Sequence, residues 1–231
     1  MEKIRACLFD LDGVIVDTAR YHYLAWRQLA GELGINFSLE SNELLKGVSR
    51  MQSLDIILGL GNKILTQDEK NACAEKKNTI YLEYIHRLTE DEILPGVRSF
   101  ILELKNNRIG IALGSASKNA SLILQQLKIV DLFDAIIDGD KISKAKPDPE
   151  VFLLGAKELN VSPRSCVVFE DAIAGIEAAR NAGMLCVGVG DPNTLFQADL
   201  VIPGFEALTP EDLFRTLEEK CRRRSFNDLE I

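Results

Sequence analysis

The chain has 231 residues, 46% hydrophobic and 27% charged, with a formal net charge of −8. It is long enough for one large domain or for a core with an insert. Its acidic balance argues against nucleic acid as a main partner, since that calls for a basic face. No apolar run approaches the ~20 residues of a membrane span. A strand-like run begins almost at once and leaves no space for an export signal, and the five cysteines show no C-x-x-C spacing. An odd cysteine count without an export signal points to the cytoplasm. Cys7, Cys166 and Cys186 lie in apolar runs, where a thiol is a small hydrophobe.

The first predicted element is a buried strand from Ala6 to Phe9, which delivers Asp10 and Asp12 with Gly13 behind them. Side chains two apart on an extended segment point the same way, so both carboxylates can face one site. After Asp17-Thr18 the text becomes helical: Tyr21 to about Leu33, ended by Gly34, then Ser41 to about Leu45, Met51 to Leu58 and Asp68 to about Leu88. Residues 17–94 therefore read as an all-helical insert, closed by the acidic stretch 89–92 and Pro95-Gly96.

From there strands and helices alternate. Strands are expected at 109–113, 135–137, 167–169, 185–189 and 200–202, with helices at 97–107, 119–127, 149–159, 172–182 and from Thr209 onward. Such alternation implies a parallel sheet with helices on both faces. The fold class is a doubly wound α/β core, residues 1–16 and 95–231, with an inserted α-helical cap, residues 17–94. The basic run 222–224 reads as a solvated terminus.

In an open parallel sheet the ligand binds beyond the carboxyl ends of the strands. That edge collects Asp10 and Asp12, then Ser115, Ala116, Ser117 and Asn119, then Lys146, and finally Glu170 and Asp171. Each has an ordinary alternative. Ser115 can begin a helix as its cap, Lys146 can be a surface lysine, and the two acids can serve the next helix through its dipole. Together they are harder to explain so simply. Close carboxylates repel by about 4 kcal/mol per pair at 4 Å in a surface-like dielectric. A hard divalent cation held by oxygens, of which magnesium is the natural choice, removes that cost. Ser115, backbone amides and Lys146 then make an anion cradle. A carboxylate in such a site can attack phosphorus, and an aspartyl-phosphate splits one hard transfer into two easier ones.

These residues resemble the haloacid dehalogenase superfamily. Its signature D-x-D-G-x-x-x-D-[ST] stands here as residues 10–18, and Ser115, Lys146-Pro147 and Glu170-Asp171 match its other motifs. The resemblance covers all but about the last dozen residues. It implies phosphorylation of Asp10, Asp12 as general acid/base, phosphate binding by Ser115, Ala116 and Lys146, and Mg2+ held by Asp10, Asp12 (through its backbone carbonyl), Glu170 and chiefly Asp171.

Within that superfamily the chain is similar to the β-phosphoglucomutases, on Asp17-Thr18, Tyr21-His22, Trp26, the run Lys46-Gly47-Val48-Ser49-Arg50 and Ser53 in the insert, and on Ser115 to Asn119 in the core. The resemblance implies a hinge at Thr18 and substrate or distal-phosphate roles for His22, Trp26, Lys46, Gly47, Arg50, Ser53, Lys77, Ser117 and Asn119. His22 reads equally as a surface histidine, Trp26 as core, and 46–50 as a basic turn. The expected activity interconverts β-glucose 1-phosphate and glucose 6-phosphate through glucose 1,6-bisphosphate. A sugar-phosphate phosphatase, a mutase for a related sugar and a non-catalytic phosphosugar-binding protein are the alternatives. The expected partner is a small sugar phosphate, with no nucleic acid or membrane, and a monomer is expected.

Overall fold

The computed structural model describes residues 2–45 and 49–227. It divides into two compact units, Met1–Asp17 with Thr89–Ile231, and Thr18–Leu88. The sequence reading placed these borders at 16/17 and 94/95. Residues 89–94 belong with the α/β unit for a local reason. Ile93 bridges Val16, and the Leu94 N–H donates to the Ile15 carbonyl at 2.8 Å.

The α/β unit is built on six strands: β1 (Ala6–Phe9), β2 (Gly110–Gly114), β3 (Ala135–Ile137), β4 (Cys166–Glu170), β5 (Leu185–Val189) and β6 (Leu200–Ile202). Their order is β3-β2-β1-β4-β5-β6, and every neighbouring pair is parallel. β1 and β4 are buried along their whole length. Such strands read as continuous apolar runs because helices cover both faces. The winding direction changes between β1 and β4, so the crevice beyond their carboxyl ends is the natural ligand position.

The two faces differ in character. On one, Leu8, Ala112 and Val168 meet Phe152 and Ala156 of α7 (Glu150–Glu158) and Ile176 and Ala179 of α8 (Ile173–Asn181). On the other, aromatic rings dominate. Phe9 stacks on Phe169 at 4.6 Å and 6°, and Phe100 of α5 (Val97–Asn106) and Phe205 pack around them. Burying each ring contributes about 1.5–3 kcal/mol. This layer fixes the strands whose ends carry Asp10 and Glu170.

The second unit contains α1 (Ala19–Glu32), α2 (Leu39–Asn42), α3 (Arg50–Leu60) and α4 (Gln67–Ile85). Gly34 ends α1 as expected. It takes φ +71°, and the Ile35 N–H reaches back to the Ala30 carbonyl at 2.8 Å. The expected helix at 41–45 is instead α2 followed by a 3₁₀ turn, Glu43–Leu45. Its start is set by Ser38, whose side chain accepts the Ser41 N–H. α3 and α4 both open on reciprocal capping boxes, Ser49 with Gln52 and Thr66 with Glu69. Trp26, Leu29, Ile35, Phe37, Leu54, Ile57 and Leu58 form this unit's core.

The remaining helices are α6 (Ala120–Gln126) and α9 (Pro210–Asn227). α9 carries helix through the basic run at 222–224, which the sequence reading took as a solvated terminus. Among the described residues no helix is long and apolar enough to cross a membrane.

Candidate active site

Asp10 follows β1 directly, and its N–H continues the ladder by donating to the Phe169 carbonyl at 3.0 Å. Its carboxylate is therefore held at the sheet edge by backbone pairing. The chain then turns tightly: Gly13 N–H donates to the Val16 carbonyl, and the N–H groups of Ile15 and Val16 both reach the Leu11 carbonyl. Gly13 sits at φ +76°, and a Cβ there would collide with the Asp171 carboxylate. Glycine at this position permits both the left-handed backbone and the close approach of Asp171.

Lys146 enters from the loop after β3, next to a cis Lys146-Pro147 bond. It is not a surface lysine. Its Nζ donates to Asp10 Oδ1 at 2.6 Å and to Glu170 Oε1 at 2.5 Å, with the ammonium 4.8 Å from the Phe152 ring centre. Glu170 is the last residue of β4 and is 1% exposed. Its second oxygen accepts the Ala172 N–H at 3.0 Å. In α8, Gly175 makes room for it, since a Cβ there would strike its carboxylate. Burial alone would push Lys146 down, but Asp10 and Glu170 outweigh it and hold the ammonium above the ordinary lysine range. Burial pushes Glu170 up, and Lys146 opposes that without cancelling it.

Asp171 follows Glu170 and completes an acidic trio. Asp10, Glu170 and Asp171 each offer an oxygen, and these atoms lie within 4.8 Å of one another. Burial, then the charges of Glu170, Asp10 and Asp12, raise Asp171 to about 7. One ammonium faces several carboxylates, so the cluster has a surplus of negative charge. An all-oxygen donor set with that surplus fits a hard divalent cation. Both Glu170 oxygens already have donors, so its weight falls on holding Lys146. The Asp12 side chain is not part of the trio.

Ser115 lies just beyond β2 and is 3% exposed. It does not cap a helix, because α6 begins only at Ala120 and its cap position is Asn119. Instead the Ser115 hydroxyl accepts the Ser117 N–H at 3.1 Å, and the Ser117 hydroxyl accepts the Asn119 N–H at 3.2 Å. These two hydroxyl turns shape the loop of Ala116, Ser117 and Asn119 at the edge that also bears Asp10.

In the helical unit, α1 and α4 bring a second group together. Lys77 Nζ lies 2.7 Å from His22 Nδ1 and 4.9 Å from the Trp26 ring centre. Burial, then the charges of Lys77 and Arg50, push His22 down to about 3. A lysine donating to Nδ1 leaves the imidazole proton on Nε2. His22 is thus a neutral, half-buried histidine and not a fully exposed surface one. Trp26 belongs to the unit's core with Lys77 over its ring. Ser53 is buried within α3, and Thr18 is fully buried at the start of α1. Arg50 opens α3 and donates to the Asn78 side chain at 2.9 Å. Lys46 and Gly47 lie outside the described residues. Sequence reasoning missed Tyr81, whose ring stacks on His22 at 4.1 Å. Its position one helical turn after Lys77 was the available signal.

The haloacid dehalogenase-like hydrolase family model matches residues 4–183. The chain belongs to that family. It is 45% identical over 224 residues to the β-phosphoglucomutase of Bacillus subtilis, covering 96% of this chain and 99% of that one. A crystal structure of β-phosphoglucomutase from Clostridium difficile shares 48% identity at a TM-score of 0.85, over 94% of this chain and 98% of that one. A phosphorylated carbohydrates phosphatase of Thermotoga maritima is 31% identical over 94% of this chain and 99% of its own length. As a haloacid dehalogenase-like protein with the fold of these enzymes, the chain carries the family's signature at the sheet edge just described.

Proposed function

We propose that this chain is a β-phosphoglucomutase, interconverting β-glucose 1-phosphate and glucose 6-phosphate by way of glucose 1,6-bisphosphate. The observation that carries the reading is the Asp10–Lys146–Glu170 arrangement at the sheet edge, in a chain 45% identical to a β-phosphoglucomutase. Asp10 attacks phosphorus and becomes the aspartyl-phosphate, and a second attack by a sugar hydroxyl returns the group to sugar. Lys146, Ser115 and the amides after it, Ala116 included, hold the phosphoryl oxygens as charge spreads over them. Asp12 gives a proton to the leaving oxygen and takes one from the attacking hydroxyl.

Magnesium suits the acidic trio, with Asp171 and Asp10 as its main side-chain holders, and supplies charge neutralisation that lets a carboxylate approach phosphate. A mutase must also bind a second phosphate. Arg50 opens α3 at the positive end of its dipole, an unfavourable place for a cation unless an anion joins it. That supports Arg50 as a distal-phosphate residue, with Lys46, Gly47, Ser53, Ser117 and Asn119 as the further candidates. His22, Lys77 and, through Lys77, Trp26 form the sugar-side group, and Thr18 is the hinge candidate. The 31% identical phosphatase keeps hydrolysis as the second reading.

The test is transfer of label. Protein incubated with magnesium and labelled glucose 1,6-bisphosphate should carry phosphate on Asp10 and pass it to unlabelled β-glucose 1-phosphate. Asp10→Asn should take up none. Label passing only to water would refute the mutase.

A further inference from the structure

Two helices of the cap unit present short ladders to each other. On α1 and its cap residue, Thr18, His22 and Trp26 stand at successive i, i+4 positions, and on α4 Lys77 and Tyr81 do the same. The ladders run antiparallel and their rungs touch. The Tyr81 hydroxyl donates to Thr18 Oγ1 at 3.2 Å, and the Tyr81 ring stacks on His22 with an interplanar angle of 18°. Lys77 Nζ meets His22 Nδ1 and stands over both the Trp26 and Tyr81 rings, 4.9 and 4.8 Å from their centres. Tyr81 and Thr18 are fully buried, and Lys77 is 2% exposed.

Tyr81 touches Thr18, His22 and Lys77. Its ring is a flat wall against the imidazole and a π-face for the ammonium. Its hydroxyl reaches the residue at which the chain enters this unit. Leucine offers no flat wall as long as the tyrosine ring, no π-face and no hydroxyl. The three functional contacts call for tyrosine.

We propose that Tyr81 is a positioning residue for the phosphotransfer reaction: it fixes His22 and Lys77 in one geometry and ties that geometry to Thr18 at the unit's entry. The proposal rests on the mutase reading and deepens it. The charged groups that face His22 are Lys77 from α4 and Arg50 from α3. Both disfavour a second proton, so the wall formed by Tyr81 acts by keeping water from the ring.

Two variants separate the ring from the hydroxyl. Tyr81→Phe keeps the wall and removes the contact with Thr18. It should fold like wild type and lose roughly threefold to tenfold in kcat, the effect of one buried hydrogen bond, while KM moves less than about twofold. Tyr81→Leu removes the wall as well. His22 followed by NMR should then titrate above about pH 5, where in wild type and Tyr81→Phe it stays neutral. Wild-type kcat in Tyr81→Phe would overturn the tie to Thr18. An unchanged His22 titration in folded Tyr81→Leu would overturn the wall. If Tyr81→Leu does not fold, the kcat of Tyr81→Phe still decides. The titration needs no substrate, so failure of the mutase reading would appear separately, as wild-type protein that makes no sugar product.

Discussion

The Lys146 ammonium stands 2.6 Å from Asp10 Oδ1, and both side chains are nearly buried. Glu170, on the adjacent strand, holds the same ammonium from the other side at 2.5 Å. Parallel pairing of β1 with β4 sets this spacing, because Phe9 and Phe169 are in register and each strand delivers its acid one residue later. Lys146 thus neutralises the proposed nucleophile and awaits the charge of an incoming phosphate.

Lys146→Met leaves two buried carboxylates without their cation. Breaking such a pair costs about 3–5 kcal/mol. The melting temperature should fall by roughly 10 °C for a chain of this size, and turnover by roughly 100-fold or more. Calorimetry and steady-state kinetics on the same preparation measure both. A variant as stable as wild type would mean that the pair contributes nothing to the fold.

Asp171→Asn should act on the metal and spare the fold. Burial and the neighbouring acids already disfavour charge at Asp171. Removing that charge should not lower the melting temperature of ion-free protein. Magnesium affinity, read by isothermal titration, should weaken at least about tenfold as a ligand is lost. Unchanged affinity would exclude Asp171 as a holder of the ion.

His22 makes the helical unit sensitive to acid. Its folded pKa of about 3 lies below the ordinary value of 6.5. The unfolded chain therefore binds the extra proton between these values, and stability rises with pH across that window. The contribution is complete above about pH 6.5 and is lost as pH falls toward 3, at up to about 1.4 kcal/mol per pH unit. His22→Gln keeps an acceptor for Lys77 and removes the titration. The melting temperature of wild type should fall more steeply between about pH 6 and 4 than that of the variant, and parallel curves would contradict the neutral state.

Arg50→Ala probes the second phosphate. Mutase activity should fall by roughly 100-fold, the loss of a charge-assisted phosphate contact. Hydrolysis of a small monophosphate ester, which has no second phosphate to bind, should fall far less. Equal losses in both assays would remove Arg50 from the distal site.

Much of this was legible in the sequence, and the limits have physical causes. The apolar runs at 6–9 and 185–189 mark strands because a doubly covered sheet buries both faces of its inner strands. Asp10, Lys146 and Glu170 were each visible as candidates. Their convergence on one ammonium was not, since Lys146 and Asp10 are 136 residues apart and only strand order joins them. Ser115 illustrates local ambiguity: with a helix expected from 119, a serine just before it still reads as a possible cap, and the start of α6 at Ala120 excludes that role. The helix at 41–45 was placed late because Ser38, which caps α2, lies before the apolar pattern. Tyr81 was hidden by its type: a buried aromatic one turn from a lysine reads as core until the partners across the helix pair are known.

The most direct test of the central claim follows two products at once. Purified protein with magnesium is given β-glucose 1-phosphate and a trace of glucose 1,6-bisphosphate, and glucose 6-phosphate and free phosphate are measured together, with the α anomer as control. A β-phosphoglucomutase gives rapid glucose 6-phosphate from the β anomer, little from the α anomer, and little free phosphate. Free phosphate as the main product would contradict that reading and make the protein a phosphatase on the same scaffold.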